Sequence, residues 1–161
     1  RREYRGVDRK ARRLGIPVAF RPNTFSDLDW PKIAPWLFEE FPAWHFYGYT
    51  KVRSYARRFQ AGQMPENYHL TFSWSENIDV SQACELVESG INVAVPFYDR
   101  ETLRGTIPDV WNGIPVIDGD SDDLRFQDPR GVFVGLKVKL PKSRAKALKM
   151  IQRSQGFFVG I

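Results

Sequence analysis

The apolar positions of this chain recur at helix spacing and at strand spacing in turn along its length. Tyr4, Val7, Ala11 and Leu14 lie three and four residues apart, which predicts a helix over residues 1–14 stopped by Gly15. Residues 16–23 read as a strand running into the polar loop 24–27. Asp29 is placed to cap a second helix with Pro31 in its first turn, Ile33, Trp36, Leu37 and Phe41 on its apolar face, and Pro42 at its end. Residues 44–49 predict a second strand and residues 52–60 a short basic helix. A third strand over 68–73 and a helix over 79–89, closed by Gly90, come next. The fourth strand, 91–97, is almost continuously apolar, as a strand covered on both faces should be. Residues 98–114, with Gly105, Pro108 and Gly113, read as a connector, and Pro115, Val116 and Ile117 as the end of a fifth strand. Asp128-Pro129-Arg130-Gly131 fits a type I turn that would join 124–126 to 132–136 as a C-terminal β-hairpin.

Strands that alternate with helices imply crossover connections and a mostly parallel sheet. The expected fold is therefore α/β, an open half-barrel or part of a TIM-like barrel, carried by a single domain over residues 1–161. With 161 residues, 42% hydrophobic and 14% aromatic, the chain is long enough for one well-cored domain. It opens at Arg1 inside a charged helical pattern, which fits the C-terminal part of a longer protein. No apolar run is long enough to span a bilayer, and a lone cysteine, Cys84, allows no internal disulfide framework, so a reducing bacterial cytoplasm is the expected compartment. Beside Ala83 and Leu86, Cys84 reads as a small core filler rather than a nucleophile.

In parallel sheets, ligands lie beyond the carboxyl ends of the strands, and here those ends are polar. They carry Asn23, Ser26 and Asp27, then Thr50 and Lys51, then Ser73, Glu76 and Asn77, then the acidic stretch from Asp118 to Asp123. An enzyme at this rim would use Lys51 against anionic charge, His69 as acid or base, Glu76 beside them, and Asp118, Asp120 and Asp123 to hold Mg2+ or Mn2+. A helix-loop-helix calcium site is excluded, because Asp123 stands where the glycine is needed and Pro129 where the bidentate glutamate is needed. The same aspartates would equally serve as acceptors in consecutive turns.

Charge changes the picture at both ends. Residues 1–13 hold seven Arg/Lys against two acids, and residues 137–153 seven against none, within a net charge of +5. Arg9, Lys10, Arg12 and Arg13, then Arg53, Arg57 and Arg58 interleaved with Tyr49, Tyr55 and Phe59, then Lys142, Arg144, Lys146 and Lys149 form a candidate nucleic-acid surface. Solvated helix faces would have the same composition.

Several longer strings resemble an uncharacterised family of phage and plasmid proteins. They are Asn23-x-x-Ser26-Asp27, Phe46-Tyr47-x-Tyr49-Thr50-Lys51, the run from Asn67 to Ser73 with Ser75-Glu76-Asn77, Asn92-Val93-Ala94-Val95, Gly113-x-Pro115-Val116-Ile117-Asp118-Gly119-Asp120-x-x-Asp123-x-Arg125, and Asp128-Pro129-x-Gly131. The order of units is also similar to a second phage family with radical S-adenosylmethionine-like βα repeats, in which an Asn-x-x-Ser-Asp strand precedes a Thr-Lys strand. That resemblance implies a cysteine-rich segment upstream or on a partner chain, and no iron-sulfur cluster within these residues. The expected function is that of a mobile-element protein associated with nucleic acid in replication or DNA processing. The alternative is a metal-dependent or radical-SAM-like enzyme, or a fragment of one.

Overall fold

The computed structural model describes residues 1–161. In chain order the elements are α1 (Arg2–Leu14), β1 (Ala19–Phe20), α2 (Trp30–Ile33), α3 (Pro35–Glu40), β2 (His45–Thr50), α4 (Arg53–Gln60), β3 (Tyr68–Ser73), α5 (Val80–Glu88), β4 (Val93–Tyr98), β5 (Val110–Trp111), β6 (Ile114–Asp118), β7 (Phe133–Lys137), α6 (Arg144–Arg153) and β8 (Val159–Gly160). The fold is α/β. Eight strands form one sheet in the order β1-β2-β3-β4-β7-β6-β5, with β8 also paired to β4. The β1–β2, β3–β4, β4–β7, β4–β8 and β6–β7 ladders are parallel, and β5–β6 is antiparallel. The sheet is open, with β1 and β5 as its end strands.

The chain divides into two compact units, residues 1–70 with 124–128, and residues 71–123 with 129–161. In the first, an aromatic core forms where α3 covers β2 and the start of β3. The Phe38 and Phe46 rings lie 4.6 Å apart, and Phe41 stacks on Trp44 at 4.5 Å. The α1 helix ends at Gly15 in the left-handed conformation (φ 65°), as its sequence predicts. Its inward stripe, however, is Tyr4, Asp8 and Ala11. Tyr4 packs edge-on to Phe20, and the Asp8 carboxylate accepts the Trp44 indole N–H at 3.0 Å. Val7 and Leu14, expected on that face, are exposed, because a carboxylate at the centre of the stripe shifts it away from the purely apolar positions.

The single helix expected over 29–41 is two. Ala34, at φ −142°, separates α2 from α3, because Pro35 lacks an N–H and forces the preceding residue out of helical geometry. Asp29 makes no side-chain capping bond and instead binds Arg58 and Lys32. The strand expected over 16–23 pairs only at Ala19 and Phe20.

In the second unit β4 is flanked by β7 on one edge and by β3 and β8 on the other, and Val93, Val95, Phe97, Phe133 and Val134 are fully buried. Asp79 caps α5 in a capping box with Gln82, which starts the helix where its sequence predicts. The expected connector holds a short hairpin, β5–β6, turned by Asn112 (φ 50°) and Gly113 (φ 79°), the Asn-Gly pair that a two-residue turn requires. It delivers Trp111 onto Phe133, Phe97 and Trp74, with ring centroids 4.8, 5.3 and 5.6 Å away.

The expected C-terminal hairpin does not form. Residues 125–127 are a 3-10 turn, and β7 lies parallel between β4 and β6, so both of its edges are paired. The preceding turn is held by the Asn92 side chain, which donates to the Pro129 carbonyl (2.8 Å) and accepts from Gly131 and Val132 (2.9 and 3.3 Å). Those backbone groups are therefore satisfied without a partner strand.

Candidate functional site

In the first unit the polar residues after β1 and β2 tie the backbone together. Asn23 is buried; its amide donates to the Leu28 carbonyl (2.9 Å), and its oxygen accepts from Ser26 Oγ (2.9 Å), the Leu28 amide (3.3 Å) and the Trp30 indole (2.9 Å). Asp27 accepts the Lys51 amide at 3.1 Å, and Thr50 Oγ1 accepts the Val52 amide at 3.0 Å. Asn23, Ser26, Asp27 and Thr50 thus fix one loop against the end of β2. The Lys51 side chain is exposed at the carboxyl end of β2.

His69, the second residue of β3, lies elsewhere. The Phe46 amide bonds to the Asn67 carbonyl, so about four residues of strand, roughly 13 Å, separate the levels of His69 and Lys51. The two do not share a reacting point. His69 instead faces Phe126, as does His45, which stacks flat on that ring at 4.4 Å. Sequence reasoning passed over His45 and Phe126; the alternation of β2 and β3, with both histidines on one face, was the available signal. Beneath α3, burial first, and then the charges of Asp27 and Asp29, push the Tyr68 hydroxyl pKa up to about 12.

The basic residues of this unit are partly committed. Arg12 pairs with Asp8, Arg58 with Asp29, and Arg1 and Arg5 with Glu40. Arg9, Lys10 and Arg13 on α1, and Arg53 and Arg57 on α4, are exposed. Tyr55 and Phe59 pack against the aromatic core and are not free stacking platforms, and Tyr49 lies under the Arg21 guanidinium at 4.6 Å.

In the second unit Ser73 ends β3 half-buried, and Glu76 and Asn77 are exposed just beyond it. The acidic stretch forms a turn. Asp118 accepts the Asp120 amide (2.9 Å) and the Lys137 ammonium (3.3 Å), and Asp120 accepts the Lys137 amide (2.9 Å). The Asp120 amide, and then Lys137, hold the Asp118 carboxyl below its usual pKa. Gly119 is required by close approach, since a Cβ there would sit 2.5 Å from Val134 Cγ1. No group of three His, Cys, Asp or Glu side chains is disposed to hold an ion; Asp118 and Asp120, expected with Asp123 around Mg2+ or Mn2+, make these backbone and lysine contacts. Cys84 is half-buried, and burial followed by the Glu88 charge raises its thiol pKa, which keeps it in the unreactive form.

A concavity lies beyond the carboxyl ends of β4 and β7, a cavity of about 780 Å³ whose charged lining residues are Arg104, Lys139, Lys142 and Arg144. No acid lines it. From Pro129 to the last residue the chain holds eight Lys/Arg and no Asp or Glu. On α6 only Ala147 is buried, with Ile151 half-buried a turn later. At 100° per residue Arg144 falls near that inward side, whereas Lys146, Lys149 and Arg153 fall within about 60° of arc on the outward side. All three are exposed, and none is in an ion pair.

A profile described as Gene product 88 matches residues 2–153. The chain belongs to the Gene product 88 family. The Gene product 88 match runs from the first residue of α1 to the last residue of α6, so the basic helix lies within the shared region. The family is of phage type, as the sequence resemblance implied; its name assigns no activity and carries no S-adenosylmethionine chemistry. No curated protein and no solved structure matches the chain. No helix is long and apolar enough to cross a membrane.

Proposed function

We propose that this phage-family protein associates with nucleic acid through the outward face of α6. The carrying observation is the row Lys146, Lys149 and Arg153, exposed, unpaired and set on a segment without a single acid. Over about 10 Å of helix axis the row presents three cations, a spacing suited to successive phosphates of one strand. The exposed Arg9, Lys10 and Arg13 of α1 provide a second, weaker surface, because the acids of that helix and of α3 already engage their basic neighbours. Such contacts read charge and not base sequence, so binding is electrostatic and tolerant of sequence. Fluorescence anisotropy with labelled single-stranded DNA, duplex DNA and RNA tests the reading. Saturable binding is expected at about 50 mM salt, falling steeply by about 200 mM. Undetectable binding to all three at the lower salt would refute it.

A further inference from the structure

The cavity beyond β4 and β7 faces a different way from the outward row of α6, and its chemistry calls for a smaller ligand. Its rim is built rigidly. The loop after β4 folds on Asp99, whose carboxylate accepts the Thr102 amide and hydroxyl at 2.6 and 2.8 Å, and whose own amide donates to the Arg104 carbonyl at 2.8 Å. Leu103 takes a left-handed conformation there (φ 53°) and buries its side chain, so Arg104 is presented from a pinned position. Gly105 closes the loop against the chain leaving β7; a Cβ on it would lie 2.3 Å from the Val138 carbonyl oxygen. Across the cavity, Arg144 is steadied by a bond to the Glu101 carbonyl at 3.2 Å.

Four cations line this one cavity with no acid among them. Unliganded, they repel one another, and an anion of several charges relieves that repulsion. A monophosphate dianion balances two of the four; a triphosphate balances all of them. Arg144 opens α6 and lines the cavity, so the positive end of that helix dipole adds to the field. Leu103, Val138 and Leu140 supply apolar wall, and the volume is within the range of small-ligand pockets. We propose that this cavity binds an oligophosphate group, either free or carried on a nucleoside.

The inference stands apart from the nucleic-acid reading, because the cavity cations and the outward row are different residues. The test is thermal unfolding and calorimetric titration of the whole chain with sodium triphosphate and with ATP, without added metal. Both probes should raise the melting temperature saturably, by roughly 5–10 °C at a hundredfold excess over the dissociation constant. An equal response to both assigns the site to phosphate alone, and a larger one for ATP adds the nucleoside to the apolar wall. Arg104→Glu with Lys139→Glu, both exposed positions, should leave the unliganded melting temperature unchanged and abolish the response. Lys146→Ala with Lys149→Ala and Arg153→Ala should weaken DNA binding and keep the triphosphate response. No saturable response to either probe, the same response to sulfate, or a response that survives Arg104→Glu with Lys139→Glu overturns the proposal, whatever the outcome with DNA.

Discussion

Replacing Asn23 by alanine separates a structural residue from a ligand-binding one. The buried Asn23 amide makes four hydrogen bonds that hold residues 23–30 in place: to the Leu28 carbonyl and amide, to Ser26 Oγ and to the Trp30 indole. At about 1 kcal/mol net per bond the loss is about 4 kcal/mol; Ser26 is exposed and finds water instead, which lowers the expected cost to about 3 kcal/mol. For a chain of this size that is a fall of roughly 6–12 °C in melting temperature. Asn23→Asp keeps the acceptor for three of the bonds but loses the donor and buries a charge, so it should also destabilise. The assay is urea and thermal unfolding followed by tryptophan fluorescence, with DNA binding measured in parallel below the transition. A change under about 0.5 kcal/mol, the size of an ordinary surface substitution, would refute the structural assignment of Asn23. So would intact stability with lost binding.

Tyr68 predicts a pH effect of defined sign. Its hydroxyl pKa is raised from 10.0 to about 12, so its contribution is fully present below pH 10 and is lost as pH rises toward 12. Tyr68→Phe should abolish about 2–3 kcal/mol of that loss, read as the difference between the two proteins' urea midpoints across the window; parallel curves would contradict it. Gly135→Ala places a Cβ 2.5 Å from Ile107 Cγ2 and 2.9 Å from Val116 Cγ1, and should cost about 1–3 kcal/mol by urea unfolding, partly recovered by Ile107→Ala. Asp118→Asn with Asp120→Asn should leave metal-free DNA binding unchanged or tighter by anisotropy, since it removes negative charge from a turn that supplies no cation.

Much of the fold was legible because helix and strand spacing alternate cleanly from α1 to β4, and because Gly15, Asp79 and Gly90 mark element ends locally. The second helix was misread because the periodicity of Ile33, Trp36 and Leu37 outweighed Pro35, whose backbone restriction decided the outcome. Strand β7 was paired wrongly because the turn-forming Asp128-Pro129-Arg130-Gly131 is a local signal. Asn92, 37 to 40 residues away, supplies the partners that settle that turn. The Asn112-Gly113 turn was legible and was passed over. At the candidate site, polar residues after strands read as a ligand rim, and the bonds that Asn23, Asp27 and Thr50 make to nearby backbone are not revealed by composition alone. Lys142 and Arg144 stand out by charge. Arg104 and Lys139 do not, because the pairing of β4 with β7 and the packing of Gly105 on Val138 bring the loop after β4 to the chain after β7.

The most direct measurement is the salt dependence of DNA affinity for the wild-type chain and for Lys146→Ala with Lys149→Ala and Arg153→Ala. If the outward row of α6 carries the contact, the slope of log affinity against log salt should flatten by about 2.7 on duplex DNA and about 2 on a single strand, one step for each cation removed. The melting temperature should stay the same, because all three side chains are exposed. A slope equal to that of the wild-type chain would show that the phosphates lie elsewhere and would contradict the assignment of α6 as the nucleic-acid surface.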